Sequence, residues 1–185
     1  MLPTKRGDKG LDQRFNGSEK LYKRVPREHL TPDGEIEPSL IQCSFNRGVK
    51  SAPSVLRSKY GTSRDALRRA CANGKDVSTQ VVFYVIVGAL PKQIASGDNR
   101  SFDFYPFHDP DDDCYAHTVI ACKLAGSADG SYSMPSNAVK NAFKAKLVAA
   151  LRRATMLPFP IFLIGDMCKM YAAFLAPTSD SLDQS

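Results

Sequence analysis

Two histidines and four aspartates lie close together in the stretch HDPDDDCYAH, which begins at His108. Imidazole and carboxylate groups act as general acids and bases, and they also bind divalent metals. His117 is the candidate catalytic base if the protein is an enzyme, with Asp109 or Asp113 to orient it. His108, Asp111 and Asp113 are only weak candidates for metal ligands, because the loop lacks the D-x-D-x-D-G spacing of a calcium loop. We therefore expect no cofactor.

The elements on either side of this acidic loop are predicted to be strands. Residues 102–107, FDFYPF, are apolar and aromatic, and residues 115–124 contain the β-branched run Thr118-Val119-Ile120. Two strands joined by a short loop most simply form an antiparallel hairpin. His117 would then lie within a strand, where the simplest alternative to catalysis is a half-buried core histidine. The simplest alternative for the aspartates is a solvated turn.

Helical spacing of apolar residues predicts two main helices, over residues 63–73 and 138–155. Thr62 and Asp65 have the spacing of a capping box before the first helix. The second helix carries an apolar stripe that includes Phe143.

Three further segments complete the predicted architecture. Residues 81–87, VVFYVIV, predict a central strand that is covered on both faces. Residues 21–25 predict an edge-lying first strand that ends at Pro26, and residues 159–175 predict a short C-terminal strand and helix. Together these elements predict a single-domain α+β fold with a mixed, mostly antiparallel sheet. We expect a flexible N-terminal arm (1–18), one globular domain (19–176) and a flexible tail (177–185).

Charge is distributed unevenly along the chain. Residues 1–75 hold 16 Lys and Arg against 8 Asp and Glu, whereas residues 76–125 hold 3 against 7. Cations can neutralise phosphates and interleaved rings can stack on bases, so the basic part is a candidate nucleic-acid surface. The same charge could instead face an acidic partner or the chain's own acidic middle. The candidate binding residues are Tyr22, Arg24, Arg27, Arg57, Lys59 and Tyr60.

Several common functional classes lack their signature in this chain. The sequence contains no phosphate-binding G-x-x-x-x-G-K-[ST] loop, no G-x-G-x-x-G and no G-x-S-x-G elbow. Five widely spaced cysteines include no C-x-x-C pair, which favours reduced thiols in the cytoplasm. The N-terminus has no apolar signal segment, and the apolar stretch 158–177 is interrupted by Asp166 and Lys169. We expect a cytoplasmic protein without a membrane segment.

Three pieces of the sequence together resemble a family of small uncharacterised bacterial proteins. They are LYKRVPREHLTPDG with the following EPS, SVLRSKYGTSRDAL, and HDPDDDCYAHTVIACK. Members of that family open with L-Y-[RK]-R-[IV]-P, continue with S-V-x-x-x-K-Y and close with a D-P loop before A-H. The resemblance covers roughly residues 21–123 and implies a bacterial accessory protein without implying an activity. The matching residues are Tyr22, Arg24, Pro38, Ser39, Ser54, Val55, Lys59, Tyr60, Asp109, Pro110, Ala116 and His117.

Three hypotheses for function follow from the sequence. The leading one is a non-enzymatic accessory or binding module that engages a protein partner, possibly in a bacterial multi-gene system, because catalytic motifs are missing and opposed charge blocks can dock a partner. The second is a nucleic-acid-binding protein that uses the basic face of residues 20–69. The third is a hydrolase or metal-dependent enzyme centred on His117 and the acidic loop 108–113.

Overall fold

The computed structural model describes residues 10–43, 45, 52–72, 74–111, 114–127 and 134–154. Within these residues the chain forms one seven-stranded antiparallel sheet and two α-helices, which confirms the predicted α+β fold. The strands are β1 (Lys20–Pro26), β2 (Ser54–Arg57), β3 (Gln80–Ile86), β4 (Gln93–Ala95), β5 (Ser101–His108), β6 (His117–Leu124) and β7 (Arg152–Arg153). The helices are α1 (Ser63–Ala72) and α2 (Asn137–Ala150). Single 3₁₀ turns lie at Arg27–His29, Pro38–Leu40, Val77–Thr79 and Val87–Ala89.

The strands are ordered β4-β5-β6-β2-β1-β3-β7 across the sheet. The predicted hairpin is confirmed as β5 and β6, which pair from Phe102 and Leu124 to His108 and Thr118. The prediction that the first strand lies at an edge is wrong, because β1 pairs with both β2 and β3. Its proline is tolerated there because it is the last residue of the strand, where a missing N–H removes little of the ladder.

The apolar run near residue 80 forms β3, but this strand lies second from one end of the sheet rather than at its centre. Its outer neighbour is the two-residue strand β7, in which Arg152 and Arg153 pair with Tyr84 and Phe83. The apolar composition of β3 reflects burial on both faces, and burial does not require a central place in the strand order.

Both predicted helices are confirmed, with one difference at an end. The capping box before α1 forms, because the Thr62 N–H donates to Asp65 Oδ2 (2.8 Å) and the Asp65 N–H donates to Thr62 Oγ1 (3.3 Å). Helix α2 ends at Ala150 rather than near residue 155, since Leu151 adopts an extended backbone and leads directly into β7. The predicted strand 159–164 and helix 166–175 lie outside the described residues.

The main core lies between the sheet and α2. Phe143 on α2 stacks on Phe104 of β5 with 4.1 Å between ring centroids, and Phe45 meets both rings edge-on. All three rings are almost completely buried. On the opposite face of the sheet, α1 covers a smaller apolar cluster made of Leu56, Ala66, Leu67, Val82, Cys114 and Ala116. Neither helix in the described part of the chain is long and apolar enough to cross a membrane.

We expect Phe143→Ala to lower the free energy of unfolding by about 3–5 kcal/mol, because it removes a buried ring and leaves a cavity against Phe104 and Phe45. Urea denaturation followed by circular dichroism measures this change. Lys146→Ala, on the exposed side of the same helix, is the matched control and should change stability by less than about 0.5 kcal/mol. Equal effects of the two substitutions would contradict the assignment of this core.

Candidate functional site

The most deeply buried charge in the described structure is the guanidinium of Arg57, at the end of β2. Its Nε donates to Glu19 Oε1 (2.6 Å) and its Nη2 to Glu19 Oε2 (3.2 Å), so the two side chains form a two-pronged ion pair. Nη1 donates to the backbone carbonyl of Asp12 (2.6 Å), and Nη2 also donates to that of Arg14. The Phe15 ring lies 4.0 Å from the guanidinium carbon. Arg57 thus binds the chain ahead of β1 through backbone, ring and carboxylate.

A second set of contacts fixes this N-terminal segment (residues 10–15) to the β5–β6 hairpin. The Asp12 N–H donates to His108 Nδ1 (3.0 Å), and Gln13 exchanges two hydrogen bonds with the His108 backbone. The Tyr115 hydroxyl donates to the carbonyl of Gly10 (2.7 Å). An amide N–H can only donate, so His108 Nδ1 is unprotonated, and its Nε2–H donates to the carbonyl of Tyr115 (2.7 Å). His108 is therefore a neutral, buried histidine.

The carboxylate of Asp12 binds two residues that the sequence assigned to a binding surface. It accepts hydrogen bonds from Lys59 Nζ (2.6 Å) and from the Tyr60 hydroxyl (2.6 Å). These bonds hold the pKa of Asp12 well below its usual range, with Lys59 contributing most. Residues 10–18, which the sequence assigned to a flexible arm, therefore make defined contacts with the domain.

A different polar group lies at the junction of β2 and β6. Ser54 Oγ is 2.8 Å from His117 Nε2, and His117 Nδ1 is 2.5 Å from the backbone carbonyl of Asp109. The carboxylate of Asp111 lies 3.5 Å from the same Nδ1 and also forms an ion pair with Arg69. Ser54 is exposed and His117 is largely buried. The largely buried imidazole thus lies between the hydroxyl of Ser54 and the partly exposed carboxylate of Asp111.

Strand pairing explains why these residues meet. Antiparallel β2 and β6 place Ser54 opposite Val119 and Leu56 opposite His117, so Ser54 and His117 are diagonal neighbours on one face of the sheet. A tight turn supplies the third group: Asp111 and Cys114 exchange backbone hydrogen bonds, which folds the acidic loop back over the start of β6.

A small open pocket of about 170 Å³ lies beside Ser54. Its lining comes from β1, β2 and α1 and consists of Tyr22, Lys23, Arg24, Ser54, Val55, Leu56, Ala66 and Arg69. Lys23 Nζ donates to the Ser54 carbonyl (3.3 Å), and Arg24 Nη1 donates to the Ala66 carbonyl (3.4 Å). Burial, followed by the like charge of Arg69, lowers the pKa of the Arg24 guanidinium, and burial also lowers the pKa of Lys23.

The six residues predicted to bind a partner do not form one exposed surface. Arg57 is fully buried in its ion pair, so it cannot contact phosphates on a ligand. Lys59 and Tyr60 bind the carboxylate of Asp12. The exposed Arg27 donates to the carbonyl of Ser78 (2.9 Å), in the 3₁₀ turn before β3. Tyr22 and Arg24 line the pocket beside Ser54 and so belong to the candidate site.

The candidate residues of the acidic loop separate into different places. His108 lies under the N-terminal segment, whereas His117 and Asp111 lie beside Ser54; Asp113 is outside the described residues. Asp109 does contact His117, but through its carbonyl rather than its carboxylate. In the described ranges no group of three or more His, Cys, Asp and Glu side chains is arranged to hold a metal ion.

Ser54 is the residue that the sequence-based site prediction missed. It stands in the S-V piece of the family resemblance, but a single serine has no local pattern that identifies a nucleophile. Only a prediction of which strands pair could have identified it. If strands 54–57 and 117–124 are neighbours, Ser54 and His117 lie on one face of the sheet. No protein-family model, curated protein or solved structure matches this chain.

The buried ion pair of Arg57 and Glu19 should behave as a coupled unit in stability measurements. We expect Glu19→Gln to destabilise the protein by about 3–5 kcal/mol, because it removes the carboxylate that binds the buried guanidinium at two points and leaves only that of Asp12, 3.5 Å from Nη1. Arg57→Met should have a similar effect, because it leaves the buried carboxylate of Glu19 without its guanidinium. The double substitution should cost clearly less than the sum of the two single ones. Free energies of unfolding of all four proteins measure this coupling, and strictly additive effects would contradict it.

The neutral state of His108 should make stability depend on pH. Burial lowers the pKa of His108 below its ordinary value of 6.5, so the unfolded chain takes up this proton more readily than the folded one. Stability contributed by His108 is therefore present above pH 6.5 and is lost as the pH falls below it. Urea midpoints measured from about pH 7.5 to about pH 5 should fall less in His108→Gln, which cannot titrate. Identical slopes in both proteins would contradict this assignment.

Proposed function

We propose that this protein is a hydrolase that cleaves an acyl bond with Ser54 as its nucleophile and His117 as its general base. The observation that carries the proposal is the 2.8 Å contact between Ser54 Oγ and His117 Nε2. This distance is within the range at which a base activates a hydroxyl, and Ser54 is an exposed residue.

The direction of the hydrogen bonds supports this proposal as much as their lengths do. A carbonyl oxygen can only accept, so the bond between His117 and Asp109 requires the proton on Nδ1. A neutral His117 then has an unprotonated Nε2 facing the hydroxyl of Ser54. Serine is the donor in this pair, which is the polarity that nucleophilic activation needs.

The proposed reaction uses only these groups and water. Nε2 takes the Ser54 proton while Oγ attacks the acyl carbon, and the imidazolium then gives that proton to the leaving alcohol or amine as the acyl bond breaks. Water, deprotonated in turn by Nε2, hydrolyses the acyl-serine. The Asp111 carboxylate, 3.5 Å from Nδ1, stabilises the transient positive charge on His117. Asp109 orients the imidazole through its carbonyl, and the nearby carboxylate that the sequence assigned to Asp109 or Asp113 comes from Asp111.

The residues that carry the predicted family resemblance cluster around this site. Six of the matching residues lie in or next to this site: Tyr22, Arg24 and Val55 in the pocket wall, Ser54 and His117 as the reacting pair, and Asp109 as the carbonyl that holds the imidazole. They come from all three pieces of sequence that carry the resemblance.

A serine-directed fluorophosphonate probe should label the protein at Ser54, and Ser54→Ala should abolish that labelling. Ser58→Ala is the matched control, because Ser58 lies in the same region but its Oγ accepts from the Lys20 N–H instead of contacting a histidine. Mass spectrometry of the intact protein and its peptides reads the adduct. Absence of labelling in the unmodified protein, or labelling that persists in Ser54→Ala, would contradict the proposal.

His117→Ala should lower the rate of probe labelling by about 10²- to 10⁴-fold, the usual contribution of a general base. Asp111→Asn should lower it less, because Nδ1 keeps its bond to the Asp109 carbonyl. Equal rates in the unmodified protein and His117→Ala would remove His117 from the mechanism.

The two non-enzymatic hypotheses stay predictions. A protein-binding module predicts a stoichiometric partner in a pull-down from native cells. A nucleic-acid binder predicts affinity that falls steeply with salt, but it loses support because Arg57 is buried and Lys59 is paired with Asp12.

A further inference from the structure

The residues that line the pocket beside Ser54 carry a net positive charge. Three of its eight lining residues are cationic, namely Lys23, Arg24 and Arg69, and none is acidic. Lys23 is committed to the Ser54 carbonyl, so the two arginines are the cations to consider for a ligand. A pocket this small accommodates one functional group of a ligand rather than a whole drug-sized molecule.

Arg69 is close enough to Arg24 that its like charge, after burial, lowers the pKa of the Arg24 guanidinium. The side chain of Arg69 is only 15% exposed and its charge is offset by Asp111. Arg24 is partly buried, and among the residues described no carboxylate forms an ion pair with it. Its Nη1 donates to the neutral carbonyl of Ala66. A partly buried guanidinium without a counter-ion, beside a second guanidinium, favours binding of an anion from solution.

The position of Arg24 relative to the nucleophile follows from strand register. Strands β1 and β2 pair with Tyr22 opposite Leu56. Continuing that antiparallel register by two residues on each strand brings Arg24 alongside Ser54. An anion held by Arg24 and Arg69 would therefore lie beside the hydroxyl that attacks the acyl carbon.

We propose that the Arg24–Arg69 pocket binds an anionic group of the substrate, a carboxylate or a phosphate, and so selects acyl compounds that carry this group close to the scissile bond. This inference rests on the proposed function for its chemistry, but the pocket's affinity for an anion is a separate property. Arginine suits it because its planar fork binds carboxylate and phosphate oxygens in pairs.

The first experiment measures anion binding without catalysis. The full chain carrying Ser54→Ala is titrated with inorganic phosphate and, separately, with succinate, while amide NMR signals of the lining residues Val55 and Ala66 are followed. We expect saturable shifts, and adding Arg24→Gln should weaken binding roughly tenfold or more. Arg27→Gln removes the same charge from an exposed site outside the pocket and should leave the affinity nearly unchanged. The tighter of the two anions identifies the class of group that the pocket takes.

The second experiment measures selection during turnover. p-Nitrophenyl hydrogen succinate and its methyl ester differ only in the terminal carboxylate. We expect kcat/KM to favour the anionic ester, and Arg24→Gln to remove that preference by raising KM for this ester alone. If the succinate group binds too weakly and phosphate binds well in the first experiment, the matched pair is built on a phosphate-bearing acyl ester instead.

The outcomes separate the two proposals. Anion binding that depends on Arg24, in a protein that neither reacts with the serine probe nor turns over any ester, supports the anion site and overturns the hydrolase. Turnover that depends on Ser54 with no preference for the anionic ester, and no Arg24-dependent anion binding, overturns the anion site and leaves the hydrolase standing. A loss of kcat in Arg24→Gln that is equal for neutral and anionic esters also overturns substrate selection, since it places Arg24 at the developing oxyanion.

Discussion

The ion pair between Arg57 and Glu19 is the interaction on which the rest of this structure depends. Removing a carboxylate and a guanidinium from water costs several kcal/mol per ion, so the pair persists only if every polar atom finds a partner. Here Glu19 occupies one edge of the guanidinium, and the carbonyls of Asp12 and Arg14 occupy the other. The arginine therefore stabilises its own burial by fixing the chain that precedes β1, and this explains how a segment without regular secondary structure is held in place.

Strand β2 connects this ion pair to the candidate site, because Arg57 ends the strand that begins with Ser54. The backbone N–H of Arg57 donates to the carbonyl of Ala116 (2.9 Å), one residue before His117, while the N-terminal segment covers His108 at the other end of the same loop. The loop that carries Asp109 and Asp111 is thus fixed at both of its ends. Its carbonyl and carboxylate can then hold the imidazole of His117 in one orientation, which is the condition for a histidine to act as a base toward Ser54.

Local patterns in the sequence were sufficient for the elements but not for their partners. The capping box at Thr62 and Asp65, the apolar stripe with Phe143 and the hairpin around His117 are short-range signals, and each was confirmed. Strand order is a long-range property, so β1 and β3 were placed wrongly within the sheet. The pairing of Ser54 with His117 was missed for the same reason, because the two residues are 63 positions apart and meet only through the pairing of β2 with β6. Arg57 was predicted to be on a binding surface because arginine is mostly exposed in proteins. Its burial depends on the carboxylate of Glu19, which the local sequence does not reveal.

The most direct test of the proposed site is the tautomer of His117, measured by nitrogen-15 NMR of the imidazole rings at about pH 8, where ordinary histidines are neutral. We expect His117 to carry its proton on Nδ1, with Nε2 unprotonated toward Ser54. His108 serves as an internal reference, because its contacts require the opposite tautomer, with the proton on Nε2. A proton on Nε2 of His117 would make the histidine the donor to Ser54 and would contradict its role as a general base.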